Sequence, residues 1–240
     1  MVVLDIDQAG RVFGSGHLRV VALEGVSLRV SAGEFVAVMG PSGSGKSTLL
    51  RLAGGLDRPS SGRVLLAGRD LGGLSEGGLA QALRREVGFV FQEANLLASL
   101  TGAENVALAL ELDGVRPRAA LTGARGLLDS LGLAAAADRF PGQLSGGEQQ
   151  RVAIARAVAG GRSLLLADEP TGALDALTGD SVMALLKQRC ATGCAVLLAT
   201  HNVRHAAWAD RVVFLTDGRL AGATGPPSGP EYLLETGYLR

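Results

Sequence analysis

Cysteine, aromatic rings, net charge and long hydrophobic runs are all scarce in this chain of 240 residues, and each scarcity removes a class of protein. Two cysteines, Cys190 and Cys194, cannot build a disulfide framework, which fits a reducing compartment. Nine aromatic residues leave the core to Ala, Val and Leu, a composition suited to helices packed on parallel strands. The 23 basic and 23 acidic side chains cancel, which argues against both a disordered charged tail and a nucleic-acid partner. No apolar run approaches the roughly 18 residues that span a bilayer, and Met1-Val2-Val3-Leu4-Asp5 lacks the basic start and apolar stretch of a signal peptide. These features predict a soluble, cytoplasmic chain.

Glycine, by contrast, is abundant: 35 residues, without the period of collagen or the monotony of a linker. Alternation over Leu18–Leu23 and Val26–Val30 predicts two antiparallel strands. Continuous apolar runs at Phe35–Met39, Leu164–Ala167 and Ala195–Ala199 predict strands covered on both faces, and Arg63–Ala67 and Val87–Phe91 are further strands. Helical patterns occupy Lys46–Ala53, Ala103–Leu112, Gly123–Leu131, Val152–Ala159 and Ala176–Arg189. The reading is α/β: a core with a mixed β-sheet over about 1–92 and 157–222, an antiparallel β subdomain, an inserted α-helical lobe over about 93–156, and a C-terminal tail over 223–240 carrying Gly225-Pro226-Pro227.

Cys190-x3-Cys194 followed by His201-x3-His205 superficially resembles a zinc site. The strand predicted between the pairs defeats it, because six extended residues place Cys194 and His201 about 20 Å apart. Zinc ligands lie about 2.0–2.3 Å from the metal.

The strand at Phe35–Met39 leads through Gly40-Pro41-Ser42-Gly43-Ser44-Gly45-Lys46-Ser47-Thr48 into a helix, satisfying the phosphate-loop pattern G-x-x-x-x-G-K-[ST] in the right context. A triphosphate needs many donors converging on it. The glycines expose backbone N–H groups, the helix N-terminus adds its positive end, and Lys46 brings a cation to the β- and γ-phosphates. A tight turn alone accounts for the glycines but not for Lys46-Ser47, so the motif reads as the nucleotide site of a P-loop NTPase core, with Ser47 as the expected magnesium ligand. The buried run Ser163–Ala167 ends in Asp168-Glu169-Pro170, placing Asp168 to hold magnesium at the carboxyl end of the sheet. A backbone turn before Pro170 allows Glu169 to face the γ-phosphate and activate water.

Leu144-Ser145-Gly146-Gly147-Glu148 opens a helix. Ser145 and Glu148 have capping-box spacing, but capping does not call for two glycines, which suggests close approach of an anion to the backbone. At this motif the sequence resembles the ATP-binding cassette ATPases, whose signature reads LSGGQ, with Glu148 standing where Gln is usual. The resemblance covers nearly the whole chain with the motifs in family order. Gln92 matches the Q-loop residue that contacts magnesium and senses the γ-phosphate, Ala173-Leu174-Asp175 the D-loop, and His201 the histidine of the H-loop. Phe13 falls where the family places an aromatic that stacks on adenine, with a core role as the alternative.

The family resemblance further implies a head-to-tail dimer of two copies around two ATP. Lys46 and His201 of one chain and Ser145 and Gly147 of the other would hold each γ-phosphate, and Glu169 would drive hydrolysis. It also implies a separate transmembrane permease subunit, received by the lobe near Leu96-Leu97 and Thr101–Val106, with the cassette peripheral on the inner face of the membrane. The stretches Phe91–Leu97 and Glu169-Pro170-Thr171-Gly172 look closest to the branch serving lipoprotein release, macrolide-type efflux and cell division, although Ala98 replaces a frequent Pro and Asn202 a usual Asp. Two functions follow: an ATPase powering export or extraction, or a regulatory module transmitting force without transport.

Overall fold

The computed structural model describes residues 1–224, so most of the expected tail lies outside the described residues. Two sheets organise the chain. The first is antiparallel and takes the order β2-β1-β4-β5, from β1 (Val2–Phe13), β2 (Val20–Ser31), β4 (Ser61–Leu66) and the short β5 (Arg69–Asp70). Leu18–Leu23 and Val26–Val30 prove not to be two strands. Residues 20–31 form one strand that pairs with β1, and Gly25, at φ +61°, interrupts the alternation within it.

The second sheet has the order β10-β9-β3-β8-β7-β6. Its strands are β3 (Phe35–Met39), β6 (Val87–Val90), β7 (Leu164–Asp168), β8 (Ala195–Ala199), β9 (Arg211–Thr216) and β10 (Arg219–Thr224). All neighbours are parallel except β9 and β10, which form an antiparallel hairpin, so the sheet is mixed. Every residue of β3, β7 and β8 is buried, as their uninterrupted apolar runs require when both faces are covered. The hairpin was not read from the sequence, and β10 takes in the expected boundary at 222.

One face of this sheet packs on α1 (Lys46–Ala53) and the antiparallel sheet, and the other on α6 (Ala176–Ala191). A separate apolar cluster holds the lobe together: Val106 and Ala107 from α3 (Gly102–Leu112), Ala120, Ala124 and Leu128 from α4 (Pro117–Ser130), and Val152 and Ala155 from α5 (Gly146–Val158). The boundary expected at 156 falls inside α5. Its Ile154, Ala157 and Val158 belong to the central sheet's core, while Val152 and Ala155 belong to the lobe. The remaining α-helices among the described residues are α2 (Glu76–Glu86) and the single turn α7 (Val203–Ala206). Among the described residues, no helix is long and apolar enough to cross a membrane.

Candidate nucleotide site

The site lies where the parallel strands end. From β3 the chain turns through Gly40–Gly45 into α1, and two glycines there are sterically compelled. A Cβ on Gly40 would meet the Leu215 carbonyl oxygen at 2.1 Å. One on Gly45 would meet the Ala22 carbonyl oxygen at 2.5 Å, and the backbone at Gly45 has φ +104°, a left-handed conformation that favours glycine. The loop is thereby wedged between β9 and β2. Lys46 is buried, and its Nζ donates to the carbonyl oxygens of Gly40 (2.8 Å) and Pro41 (2.9 Å), folding the cation over the loop.

An open cleft of about 780 Å³ faces this loop. Ser42, Gly43, Gly45, Lys46, Ser47 and Thr48 line it, together with Gln92, Asp168, Glu169 and His201 from the ends of β6, β7 and β8. Residues more than 150 positions apart thus converge on one concavity. Val20, Val21 and Ala22 of β2 close one side. These three were missed as site residues, and Val20 is the register partner of Phe13. Phe13 itself is 38% exposed, outside the core clusters, with the Arg11 guanidinium 4.5 Å from its ring centroid.

Asp168 ends β7 nearly buried. Burial pushes its carboxyl above the usual range, against a hydrogen bond from Ser47; the charge of Glu169 adds to the rise and that of Lys46 opposes it. A buried carboxylate whose charge is disfavoured, beside a hydroxyl and the amide of Gln92, is an all-oxygen donor set suited to a hard divalent cation. The residues therefore fit magnesium.

Glu169, one residue beyond the strand, has φ +44°, strained for a residue with a side chain. Adjacent strand residues point to opposite faces, and this twist takes the Glu169 side chain out of the strand's pleat and turns it to the end of β8. There its Oε1 accepts from the His201 amide at 2.9 Å and lies 2.7 Å from His201 Nδ1, while Oε2 accepts from Thr200 Oγ1 at 3.2 Å. A carboxylate can only accept, so the ring hydrogen sits on Nδ1. Thr200, also missed from the sequence, has its hydroxyl shared between Glu169 and the Asn202 amide. The Asn202 side chain accepts from the Arg204 amide at the start of α7.

Ser145, Gly146, Gly147 and Glu148 do not line this cleft. Ser145 caps α5, its Oγ accepting from the Glu148 amide at 3.2 Å, while the Glu148 carboxylate accepts from the Ser145 amide at 2.8 Å and from Arg139. The Ser145 amide first, and then Arg139, hold the Glu148 carboxyl below its usual range. Space beside Gly146 is open, and Gly147 lies against Ala173 and Leu174. Asp175 caps α6, both oxygens accepting from Thr178, whose hydroxyl and amide hold its carboxyl below the ordinary value. Cys190 lies in the last turn of α6, Cys194 immediately before β8 and His201 beyond the end of that strand. Burial pushes the two thiols up to about 12 and about 11.

A family model described as ABC transporter matches residues 23–172. The macrolide export ATP-binding/permease protein MacB of Salmonella choleraesuis is 45% identical over 218 residues, covering 91% of this chain and 34% of the relative. Its counterpart in Hyphomonas neptunium is 46% identical over 224 residues, covering 93% and 35%. The chain therefore spans about a third of the length of these curated relatives. Among solved structures, the dimeric post-hydrolysis state of the ATP-binding cassette MJ0796 bound to ADP and phosphate superposes with a TM-score of 0.89 at 38% identity, covering 92% of this chain and 98% of that one. The cbiO1 protein from Clostridium perfringens, part of the ABC transporter complex cbiONQ, gives 0.81 at 26%, covering 99% and 92%. The chain belongs to the ABC transporter family, as an ATP-hydrolysing cassette of its α/β fold.

Proposed function

We propose that this cassette is the ATP-driven engine of an exporter, in which two copies close around two ATP and work a transmembrane permease from the inner face of the membrane. One observation carries the catalytic part: Glu169 is turned out of its strand into the cleft that Lys46, Ser47 and Gln92 also line. The Gly40–Thr48 loop binds the phosphates, and Lys46 exchanges its two carbonyl partners for β- and γ-phosphate oxygens. Glu169 accepts a proton from water, and His201 holds the Glu169 carboxylate through its backbone amide and Nδ1. Ser47, Gln92 and Asp168 would hold magnesium, which when bound supplies charge neutralisation of the phosphates. Phe13 offers one ring face for adenine.

The separation of Ser145–Glu148 from the cleft supports a composite site. Their capped helix start is exposed, open at Gly146 and positively polarised, so a second copy's γ-phosphate has somewhere to dock. Asp175 takes its place at the same interface. Export is favoured over force transmission by the identity to relatives named for macrolide export, which join ATP-binding and permease parts in one name.

The decisive experiment is to isolate the native complex from membranes and identify the polypeptide that carries the membrane spans. Stimulation of ATP hydrolysis by a small hydrophobic cargo in the reconstituted complex supports the exporter. Robust coupling with no cargo moved across vesicles overturns it in favour of force transmission.

A further inference from the structure

Beyond Glu169 the chain passes through Pro170 and Thr171 into a turn closed by Gly172 N to Glu169 O (3.2 Å) and Leu174 N to Thr171 O (3.0 Å). Thr171 is buried, and its Oγ1 lies 2.9 Å from Nδ1 of His205, itself only 9% exposed on α7. A histidine and a threonine from segments 34 residues apart, both withdrawn from water, thus meet in one hydrogen bond. The proposed chemistry uses neither.

The strain at Glu169 gives the contact a purpose. A left-handed, side-chain-bearing residue is strained and persists only where its surroundings over-determine it. Before Pro170 the backbone is held by Glu169 N donating to Ala199 O at 2.9 Å, and the carboxylate is held by Thr200 and His201. After Pro170 the side-chain anchor is Thr171 on His205. The two anchors end on the same short piece of chain, residues 199–205, so they act as the two ends of one clamp.

We propose that His205 is a positioning residue for ATP hydrolysis: through its bond to Thr171 it holds the 169–174 turn and keeps the Glu169 carboxylate aimed into the nucleotide cleft. The fit is close on the ring's other side as well, where a Cβ added to Gly179 of α6 would meet His205 Nε2 at 3.3 Å. Asp180 on α6 and Glu169 on the turn favour a charged ring, while Arg204 on α7, His201 and above all burial oppose it.

This inference rests on the reading of Glu169 as the hydrolytic base, and the test separates the two. The full chain is compared with His205→Leu, Thr171→Val, the double variant, Thr171→Ser and Glu169→Gln, measuring ATP affinity by equilibrium binding and turnover at saturating ATP. His205→Leu and Thr171→Val are each expected to lower kcat about tenfold with ATP affinity within twofold of the parent. The double variant falls no further than either single one, and Thr171→Ser, which keeps the hydroxyl, restores turnover. Parental kcat in Thr171→Val, or losses that multiply in the double variant, overturns the clamp. Should His205→Leu fail to bind ATP, Thr171→Val and its serine rescue decide alone. If Glu169→Gln itself turns over normally, the base assignment fails first, a result distinct from a silent Thr171→Val beside an inactive Glu169→Gln.

Discussion

Glu169 Oε1 lies 2.7 Å from Nδ1 of His201 and 2.9 Å from the His201 backbone nitrogen, so one carboxylate oxygen is gripped twice by a single residue from the neighbouring strand end. The grip fixes where the carboxylate points and leaves the ring's other nitrogen unused by it. Aim and charge can therefore be separated experimentally.

Glu169→Gln keeps one oxygen to accept from the His201 amide, and its amide nitrogen, in place of the other oxygen, can donate to Thr200 Oγ1, so the turn survives while the base is lost. Turnover is expected to drop at least about 100-fold, within the range of about 10²–10⁴ ascribed to general base catalysis. ATP affinity stays within a few-fold, and an ATP-bound dimer accumulates in sizing experiments. Turnover at the parental rate removes Glu169 from its role.

Lys46→Ala removes a cation that now bridges the carbonyl oxygens of Gly40 and Pro41. Charge-assisted hydrogen bonds are worth about 1.5–3 kcal/mol each, and about 1.4 kcal/mol is tenfold in affinity. ATP binding measured by calorimetry should weaken at least about 100-fold. Unchanged affinity would count against the phosphate-loop assignment.

Two variants at Ser145 should behave differently. Ser145→Ala deletes the acceptor for the Glu148 amide, and loss of such a cap costs about 1 kcal/mol, to be read as a lower denaturation midpoint. Ser145→Arg places bulk and charge on the face that would meet a second copy, leaving mononucleotide binding intact and abolishing the ATP-dependent dimer. A normal dimer in Ser145→Arg sinks the composite-site reading.

His205 also makes stability depend on pH. Burial lowers its pKa in the fold below the ordinary 6.5, so the unfolded chain takes up the proton first. The contribution is complete above about 6.5 and is lost as pH falls from there through the lower folded value. Denaturant titrations of the parent should show this decline across mildly acidic pH, and His205→Leu should be flatter over the same interval. Parallel curves would show that His205 does not titrate on unfolding.

The parts legible in the sequence are those whose physics is local. The Gly40–Thr48 turn, β3, β8 and α1 follow from glycine placement and unbroken apolar runs, and the structure gives α1 and β8 the expected ends. The antiparallel parts were harder because bulges disturb the period of two. β1 shifts register on β2 between Ile6 and Ala9, with Gln8 at φ +47°, and Gly25 splits the pattern of β2. The β9–β10 hairpin had a signal that went unused, Asp217-Gly218, both at positive φ, between apolar segments. The pairing of Thr171 with His205 could not be read at all, since it depends on how two loops leave neighbouring strands.

The helix α5 serves two cores at once, Val152 and Ala155 facing the lobe and Ile154, Ala157 and Val158 the sheet. Excising residues 93–156 would therefore cut through this helix and strip the sheet of part of its cover, so neither piece would retain an intact apolar interior. The lobe is an insertion by chain order and a shared wall by construction, which predicts one cooperative melting transition for the whole cassette in calorimetry.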